Sequence, residues 1–530
     1  MVKRVNLIAG NTRLVFTGFE FKRIVSTLTL VILLSIIVVP QSNSQTGYYT
    51  LNGGTASFSN QTYTATGIDQ SAVFILNSGH LTLTSCTMSK TGDASNVNNS
   101  SQYGINAGVL SNTAGVIIII GGTVTTNASG GNGLFATGSG SSITMSNGTI
   151  NANGSNAHGV DVTYTGTIIL NNVNVTSTGP SSSAIATDFG GGTVTVTGGT
   201  IIAADTAADS HSAGIYSTGV ITVNSAIVKS LGDCGGVIDG ANSIILNNTA
   251  LYGLVEGIKT WHTAPASGTA YVTISGGSLT VTAGDGFYLT GGALTNFTIS
   301  GGTVFSIASG KLINVTGSST AILSLNGETV SGNLRSESTS TLNVSLLNGT
   351  ALTGDARYAA LAMDSTSVWN VTANSILTTI SDASKISGLN VTNIIGNGHN
   401  VHYDSTLSGN SYLHALTYNL VNGGYLTPGA VTIGINEINS TVPSEYKLGQ
   451  NYPNPFNPTT KINFSIMNSG LVTLKVYNNL GKEISTLVNQ NLNNGTYTCE
   501  FNGNGLPSGV YFYRLKTGGY TETRKMFLIK

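Results

Sequence analysis

The feature that most constrains the fold is a repeat of three short phrases that runs through most of the chain. The first phrase is a small residue followed by an apolar one, at Gly104-Ile105, Gly133-Leu134, Gly159-Val160, Ala184-Ile185, Gly214-Ile215, Gly236-Val237, Gly257-Ile258 and Gly286-Phe287. Two more phrases follow each time, such as GTIILNN and then VNVTSTG, and the repeats are 21 to 30 residues apart. Alternating apolar residues between Gly, Asn and Ser are typical of short β-strands that end in turns.

Strands this short cannot bury a core by themselves. If each strand pairs with its counterpart one repeat away, ~4.8 Å distant, the inward side chains form one continuous column. The sequence therefore predicts an all-β fold: a single-stranded, right-handed parallel β-helix of triangular section over residues 45–335, with glycines at its corners. One internal ladder should contain Ile143, Ile168, Val194, Ile221, Ile244 and Val272. An antiparallel array of β-sandwiches is the alternative, but it gives no reason for the order of the phrases.

Residues 336–430 have longer alternating segments, including STSVWNVTANSILTTI around Trp369. We expect the final, wider turns of the helix here and a cap, because the end of a stacked column must be protected from edge-to-edge association. Residues 431–443 are expected to form a linker. In the style of its repeats, the part from residue 50 to residue 430 resembles secreted adhesin-like β-helix proteins.

Composition supports a β protein outside the nucleic-acid-binding classes. Charged residues make up 8% of the 530 residues, hydrophobic residues 40%, and glycine occurs 68 times. Disorder would require high charge and low hydrophobicity. Residues 45–443 carry seven Lys/Arg and seventeen Asp/Glu, whereas residues 444–530 carry nine and four. An acidic body without a basic stripe disfavours nucleic acid. The three cysteines, Cys86, Cys234 and Cys499, are far apart and odd in number, so no disulfide framework is expected.

The amino-terminal segment has the order of a secretory signal. Five Lys or Arg residues precede the apolar run Ile24–Val39, and the small residues Ser42 and Ser44 precede a cleavage position before Gln45. We therefore predict a signal peptide over residues 1–44. The alternative is a membrane anchor, which would need ~20 apolar residues in a row.

Beyond Pro443 the pattern changes again. Strand-like phrases such as LVTLKVYN and GVYFYRLKT alternate with turn phrases such as NNLG and NGNGLPS. Six or seven antiparallel strands in this space predict a small sandwich of immunoglobulin type. It opens with GQNYPNPFNPTT (449–460), in which three prolines fix an extended strap that Tyr452 and Phe456 could pin to an apolar surface.

Residues 444–530 closely resemble the type A C-terminal sorting domain of the type IX secretion system, in YKLGQNYPNPFNPTTKINFSI, VTLKVYNNLGKEISTLV and LPSGVYFYRLKTGGYTETRKMFLIK. The residues that match its motifs are Pro453, Pro455, Phe456, Pro458, Gly481, Gly509, Tyr511, Tyr513, Lys525 and Lys530. The resemblance implies recognition by the outer-membrane translocon and its attachment machinery. It also implies a secreted or cell-surface protein, whose domain is removed as the passenger is attached to surface lipopolysaccharide or released. The alternative is a plain surface sandwich that binds another ligand.

Many parallel β-helices degrade polysaccharides, and that chemistry needs clustered acids on adjacent turns. The densest charged segment is 229–262, which contains Lys229 and Asp233. If GVIDG (236–240) stacks on GIKTW (257–261), Asp239 and Lys259 come close, with Trp261 available to stack on a sugar ring. The candidate catalytic residues are Asp239, Glu256, Lys259 and His262. The alternative is a set of solvated charges on a large loop.

Two other polar groups have residue types suited to catalysis or metal binding. His158, Asp161 and Asp188 lie on neighbouring predicted turns but not in the same register, so we expect them to be apart. His399 and His402 are three residues apart, which places them on opposite faces of a strand. We therefore expect no metal site and no cofactor.

One outward-facing row of the predicted helix contains aromatic residues. By position in the repeat it consists of Phe135, Asp161, Ala186, Tyr216, Ile238, Lys259 and Tyr288. Exposed rings on a rigid support suit carbohydrate contact, for which the candidates are Phe135, Tyr216, Trp261 and Tyr288. The alternative is that loops cover them.

The sequence thus predicts a surface passenger of adhesin-like or structural type without catalysis. Low charge, regular repeats and the terminal sorting motif favour this interpretation. The alternative is an extracellular polysaccharide lyase or glycoside hydrolase whose site lies near residues 229–262.

Overall fold

The computed structural model describes residues 45–207, 211–262, 268–429, 436–439, 443–492, 494–503 and 506–529. The predicted signal peptide and most of the expected linker lie outside these residues. Within the described part, no helix has both the length and the hydropathy needed to cross a membrane.

Residues 46–428 form a parallel β-solenoid of ~15 turns, built from three ladders of stacked strands. Ladder 1 contains Thr46–Asn52, Gln70–Leu76, Val109–Asn112, Leu134–Thr137, Val160–Thr163, Ile185–Thr187, Ile215–Ser217, Gly236–Asp239, Ile258–Trp261, Phe287–Leu289, Lys311–Val315, Asn333–Ser336 and Ala356–Met363. Ladder 2 contains Thr55–Ser59, His80–Thr84, Val116–Ile120, Ser142–Ser146, Thr167–Asn171, Thr193–Thr197, Val220–Asn224, Ser243–Asn247, Ala270–Ser275, Leu294–Ser300, Thr320–Asn326, Thr341–Leu347, Ala356–Met363 again, Ser375–Ser381, Val401–Tyr403 and Tyr425–Pro428. Ladder 3 contains Thr62–Ala65, Thr87–Lys90, Thr123–Thr126, Thr149–Ala152, Asn174–Ser177, Thr200–Ala203, Ile227–Ser230, Ala250–Gly253, Ser278–Val281 and Val304–Ile307, and a second series follows with Thr329–Ser331, Ala351–Gly354, Val368–Val371, Asn390–Ile395 and Tyr418–Val421.

The predicted internal ladder is confirmed. Its members pair in the order Ile143, Ile168, Val194, Ile221, Ile244 and Val272, each directly opposite the next in parallel register. All of them are fully buried in one apolar core that extends along the solenoid. The period of two within each strand places every second side chain inside. Parallel pairing in register then stacks the inward residues of one turn on the equivalent residues of the next.

The connection from ladder 2 to ladder 3 is two residues long in each of the first nine turns. Its first residue always has a positive φ, and these residues are Asn60, Ser85, Gly121, Asn147, Asn172, Gly198, Ser225, Asn248 and Gly276. The expectation of glycine at the corners was therefore too narrow, because asparagine and serine occupy six of the nine. Asparagine tolerates the left-handed region, and its amide can also bond to the next turn. Asn172 Nδ2, for example, donates to Asn147 Oδ1 at 3.0 Å.

In the same nine turns the connection from ladder 3 to ladder 1 varies instead, from residues 254–257 to residues 91–108. The longest one contains the helix Val97–Tyr103, which begins at the capping side chain of Asn96 and ends at Gly104 with φ of 66°. Tyr103 stacks on Tyr164 of a later turn, with ring centres 6.1 Å apart. The long connection therefore covers part of the outward face of ladder 1.

The last turns continue the parallel pairing and then add antiparallel pairs. Ala356–Met363 pairs with a strand of ladder 1 and with one of ladder 2. Ile386–Ser387 pairs antiparallel with Asn390–Ile395, and Tyr418–Val421 with Tyr425–Pro428. Short 3₁₀ helices lie at Ala383–Lys385 and Ser408–Leu413. Trp369 is buried here and donates from Nε1 to the carbonyl of Gly354 at 2.9 Å.

The C-terminal region consists of two four-stranded antiparallel sheets. One contains Asn436–Asn439, Gly495–Asn502, Thr459–Ile466 and Lys447–Leu448, and the other contains Glu483–Leu492, Gly470–Tyr477, Gly509–Thr517 and Tyr520–Leu528. Buried residues of both sheets share one apolar cluster. This agrees with the predicted small antiparallel unit.

A lysine side chain occupies an inward position of ladder 3. Lys90 is fully buried at a ladder 3 position between Ala65 and Thr126. Its Nζ donates to the carbonyl of Gly67 at 2.6 Å. Burial lowers the pKa of Lys90 from 10.5 to about 8, against the opposing influence of Asp69 and Asp93.

Substitution of this lysine tests the cost of a charge in the column. Between pH 8 and pH 10.5 the unfolded chain binds more protons at Lys90 than the folded chain does, so this residue makes stability increase with pH in that window. At pH 7 we expect Lys90→Met to be more stable than the wild type by roughly 1–3 kcal/mol, and therefore to melt at a higher temperature. We also expect that its stability no longer increases between pH 8 and pH 10.5 because of this residue. Thermal unfolding across the pH range measures both effects, with Lys229→Met, on an outward position, as the control. A Lys90→Met chain that melts lower at pH 7 contradicts the prediction.

Candidate functional site

An outward-facing row of ladder 1, here called the outer row, carries several of the candidate residues. Its register is Leu110, Phe135, Asp161, Ala186, Tyr216, Val237, Lys259 and Tyr288. The predicted member Ile238 is wrong, because it points inward and is fully buried. Gly236 takes the inward position opposite Ile215, which shifts this strand by one residue relative to the repeat phrase.

The aromatic side chains of this face differ in their exposure to solvent. Phe135 is fully buried in a small cluster with Phe74, Ala107 and Leu110, beneath the long connection. Tyr216 and Tyr288 are partly buried, and Trp261 is 38% exposed. The rings open to solvent therefore lie from Tyr216 onward, and Phe135 supports the connection above it.

The one-residue shift also changes the pairing within the segment 229–262. Asp239 lies opposite Trp261, and Val237 lies opposite Lys259. Asp239 and Lys259 therefore lie on neighbouring strands of the outward face, offset by two positions rather than directly opposite each other. Lys259 Nζ sits 5.7 Å from the Trp261 ring centre.

The charged and polar side chains of the segment 229–262 do not all lie at one site. Lys229 lies in ladder 3, where its Nζ is 5.0 Å from the ring centre of Tyr252. Asp233 belongs to a turn, in which its carboxylate accepts the Cys234 N–H at 2.7 Å. His262 directly follows the strand that ends at Trp261. Lys229 and Asp233 therefore make their contacts elsewhere, whereas His262 lies one residue beyond Trp261, the strand partner of Asp239.

Glu256 belongs to a network that includes residues sequence reasoning did not select. Its Oε2 accepts the Asp285 N–H at 2.5 Å, and Lys311 Nζ lies 3.7 Å from Asp285 Oδ1. Asn314 donates to Asp285 Oδ2 at 2.7 Å. Burial, and then the charge of Asp285, raise the pKa of Glu256 to about 7. A carboxyl group with this pKa can give and take a proton near neutral pH.

The structure corrects the expectation for His158, Asp161 and Asp188. One ligand-type atom of each lies within 4.8 Å of the others, and His158 Nε2 is 3.6 Å from Asp188 Oδ2. His158 precedes its strand and Asp188 follows the strand of the next turn, so strand register does not determine their distance. Ala186 stacks on Asp161 and has only a methyl group, which leaves room for the longer side chains.

Acidic groups dominate the electrostatics around this cluster. Burial, and then the charge of Asp188, raise the pKa of Asp161 well above its usual range. Burial also raises the pKa of Asp188, with Asp239 acting in the same direction, and lowers the pKa of His158. The Tyr216 hydroxyl donates to Asp239 Oδ2 at 3.5 Å, and its pKa is raised by burial and then by the charges of Asp188 and Asp239. We call the group of Asp161, Asp188, Asp239, His158 and Tyr216 the acidic patch.

The histidine pair near the end of the solenoid does not form a comparable group. His399 lies in the turn before the strand Val401–Tyr403, which contains His402. Burial lowers the pKa of His402. Among the residues that the structure describes, the grouping of three potential metal ligands occurs at His158, Asp161 and Asp188 instead.

The proline-rich strap joins the two C-terminal sheets. Tyr452 exchanges two backbone hydrogen bonds of 2.9 Å with Lys461 of the first sheet. Phe456 donates its N–H to the carbonyl of Phe527 in the second sheet, and its ring packs against Phe501 with centres 5.8 Å apart. Phe456 is buried, as expected, whereas Tyr452 is 81% exposed. One aromatic ring therefore pins the strap rather than two.

A tyrosine hydroxyl secures the start of the same strap. Tyr513 is fully buried, and its hydroxyl accepts the Asn451 N–H at 2.9 Å and donates to the Gly449 carbonyl at 2.8 Å. The Pro453 carbonyl accepts the Thr460 hydroxyl at 2.7 Å.

The other motif residues have local structural roles. The Pro458 carbonyl accepts the Gly503 N–H at 2.8 Å, and Gly481 forms a turn with φ of 74°. Gly509 begins the third strand of the second sheet, in which the Tyr511 hydroxyl donates to the Pro507 carbonyl at 2.7 Å. Pro455 lies within the strap, the exposed Lys525 sits 5.6 Å from the Phe527 ring centre, and Lys530 lies outside the described residues.

Comparison with known families identifies this C-terminal unit. Residues 450–530 match the family model described as "Secretion system C-terminal sorting domain". A search among curated proteins finds no match to the chain. The segment is a type IX sorting domain behind a β-solenoid. It engages the sorting machinery of that system and indicates translocation across the outer membrane to the surface or the extracellular space.

Removal of one hydroxyl tests how the strap is held. Tyr513→Phe leaves the buried Asn451 N–H and Gly449 carbonyl without a partner, which costs about 1–3 kcal/mol. We expect this variant to unfold at lower denaturant concentration and to be secreted less. Tyr452→Phe, which changes an exposed hydroxyl, is the matched control. Equal stability and equal secretion of the two variants would show that the Tyr513 bonds are dispensable.

Proposed function

We propose that the protein is a non-catalytic, adhesin-like or structural passenger whose solenoid is displayed at the cell surface or released from it. The observation that carries this proposal is the sorting domain at residues 450–530 behind an uninterrupted solenoid. A rigid stack of parallel turns presents an extended outward face, which is how solenoid proteins provide binding surfaces.

The outward face has features that suit a carbohydrate partner. Tyr216, Trp261 and Tyr288 lie on the outward face of neighbouring ladder 1 strands, with polar and acidic groups between them. Such rings bind sugars by stacking while hydroxyl groups bond to nearby carboxylates. Extracellular polysaccharide or surface lipopolysaccharide is therefore the proposed partner class. Attachment to lipopolysaccharide after removal of the sorting domain remains part of this proposal.

Truncation tests the role of the sorting domain. A chain without residues 444–530 should fold its solenoid and remain in the periplasm, because it lacks the segment that the translocon reads. Cell fractionation and surface protease accessibility measure its position. As the control, a reporter with an export signal and residues 444–530 should leave the periplasm. Normal surface display of the truncated chain would refute the assignment of sorting to this segment.

The alternative proposal is a polysaccharide lyase or glycoside hydrolase. It is favoured by Glu256, whose pKa is about 7, on the turn that also carries Lys259 and Trp261. The distinction is whether the outward face only binds sugar chains or cleaves them.

A turnover assay separates the two proposals. We expect the purified protein to release neither reducing ends nor unsaturated products from acidic or neutral polysaccharides. Turnover that is lost in Glu256→Gln, Asp239→Ala or Lys259→Ala, and kept in Lys229→Met, would establish the enzyme instead. The same variants should leave secretion unchanged, so a failure of export is not mistaken for a failure of catalysis.

A further inference from the structure

The strongest unexplained feature outside the sorting domain is the side chain of Asp161. It is fully buried, and neither of its carboxylate oxygens has a hydrogen-bond partner. The backbone N–H of Val162 favours the ionised form of this carboxyl group. A carboxylate in this position is unfavourable unless a proton or a cation neutralises it.

The neighbours of Asp161 add negative charge rather than remove it. Asp188 is close enough to raise its pKa, and Asp239 acts on Asp188 in the same way. The Asp188 side chain is 17% exposed, so the cluster has an opening to solvent on that side. Two carboxylates that converge at an opening are the arrangement that divalent cations bind.

Hydrogen bonding determines what His158 can contribute. Its Nδ1 accepts the Ser183 N–H at 2.9 Å, so that nitrogen carries no proton and the ring is neutral. The single ring proton is therefore on Nε2, the nitrogen that faces Asp188 Oδ2. A nitrogen that carries a proton cannot bind a metal ion, so the atoms offered to a cation are oxygens.

We propose that Asp161 and Asp188 bind a hard divalent cation of the Ca²⁺ class, which joins two adjacent turns of the solenoid. His158 is a positioning residue, whose Nε2 faces the Asp188 carboxylate. Water on the open side of Asp188 completes the coordination.

Ligand chemistry selects among the divalent ions. Zn²⁺ prefers histidine and cysteine, and the histidine here presents its N–H. Mg²⁺ demands a near-ideal octahedron and gives up water reluctantly, whereas Ca²⁺ accepts irregular sets of six to eight oxygens. The mixture of buried and open carboxylates suits Ca²⁺ with a dissociation constant of about 10⁻⁴ to 10⁻³ M, as in extracellular modules.

Calorimetry on the full chain, first freed of metal by a chelating resin, tests the proposal. We expect titration with CaCl₂ to show one ion per chain and thermal unfolding to move to higher temperature with CaCl₂. Asp161→Asn and Asp188→Asn keep the size of each side chain and should each weaken Ca²⁺ binding more than tenfold. Asp404→Asn, an acid on a distant turn, is the matched control and should bind as the wild type does.

Three results would overturn the proposal. The first is a wild-type chain that shows neither heat nor a melting shift with CaCl₂, which would mean that a shared proton neutralises the pair. The second is Ca²⁺ binding that persists in both Asp161→Asn and Asp188→Asn. The third is tighter binding of ZnCl₂ than of CaCl₂ that is lost in His158→Gln, which would make the histidine a ligand. Asp188 is partly exposed, so its variant keeps the test decisive if Asp161→Asn fails to fold.

Discussion

The structure depends on the stacking of identical inward positions in a dry column. Because each rung lies directly on the last, an apolar side chain such as Ile168 contacts Ile143 and Val194 instead of water. This arrangement keeps the strands short and makes the polypeptide turn sharply between ladders. It also sends every remaining side chain outward, so a chain with few charges can still gather several of them on one face.

The β-solenoid could be predicted because its sequence pattern is local and recurs along the chain. A period of two and a nearly constant spacing placed Val194 and Ile221 in one ladder, and parallel pairing follows from that repetition. The shift at Gly236 could not be predicted, since glycine there resembles the small residue that opens the other repeats. The corners were predicted only in part, because Asn147 and Ser225 adopt the conformation that was assigned to glycine.

The candidate sites were harder to predict, and for a different reason. His158 and Asp188 lie in connections, where sequence position does not fix the direction of a side chain. Asp285 belongs to the turn after Glu256, and nothing in the repeat phrase marks that pairing. The sorting domain was recognisable because its prolines, glycines and tyrosines follow one another in a long, ordered set of motifs within residues 444–530. Its strap shows why: Phe456 and Tyr513 serve both sheets at once.

In the first nine turns of the solenoid, only the corner between ladders 2 and 3 keeps a constant length. The corner between ladders 2 and 3 keeps its two residues in each of the first nine turns, whereas the corner before ladder 1 accepts anything from four residues to a segment that includes a helix. The corner after ladder 1 varies as well, from residues 218–219 to residues 262–269, so the inserts emerge at both ends of the ladder 1 strands, beside its outward face. Such a chain can acquire a new surface, one turn at a time, without altering the coil that supports it.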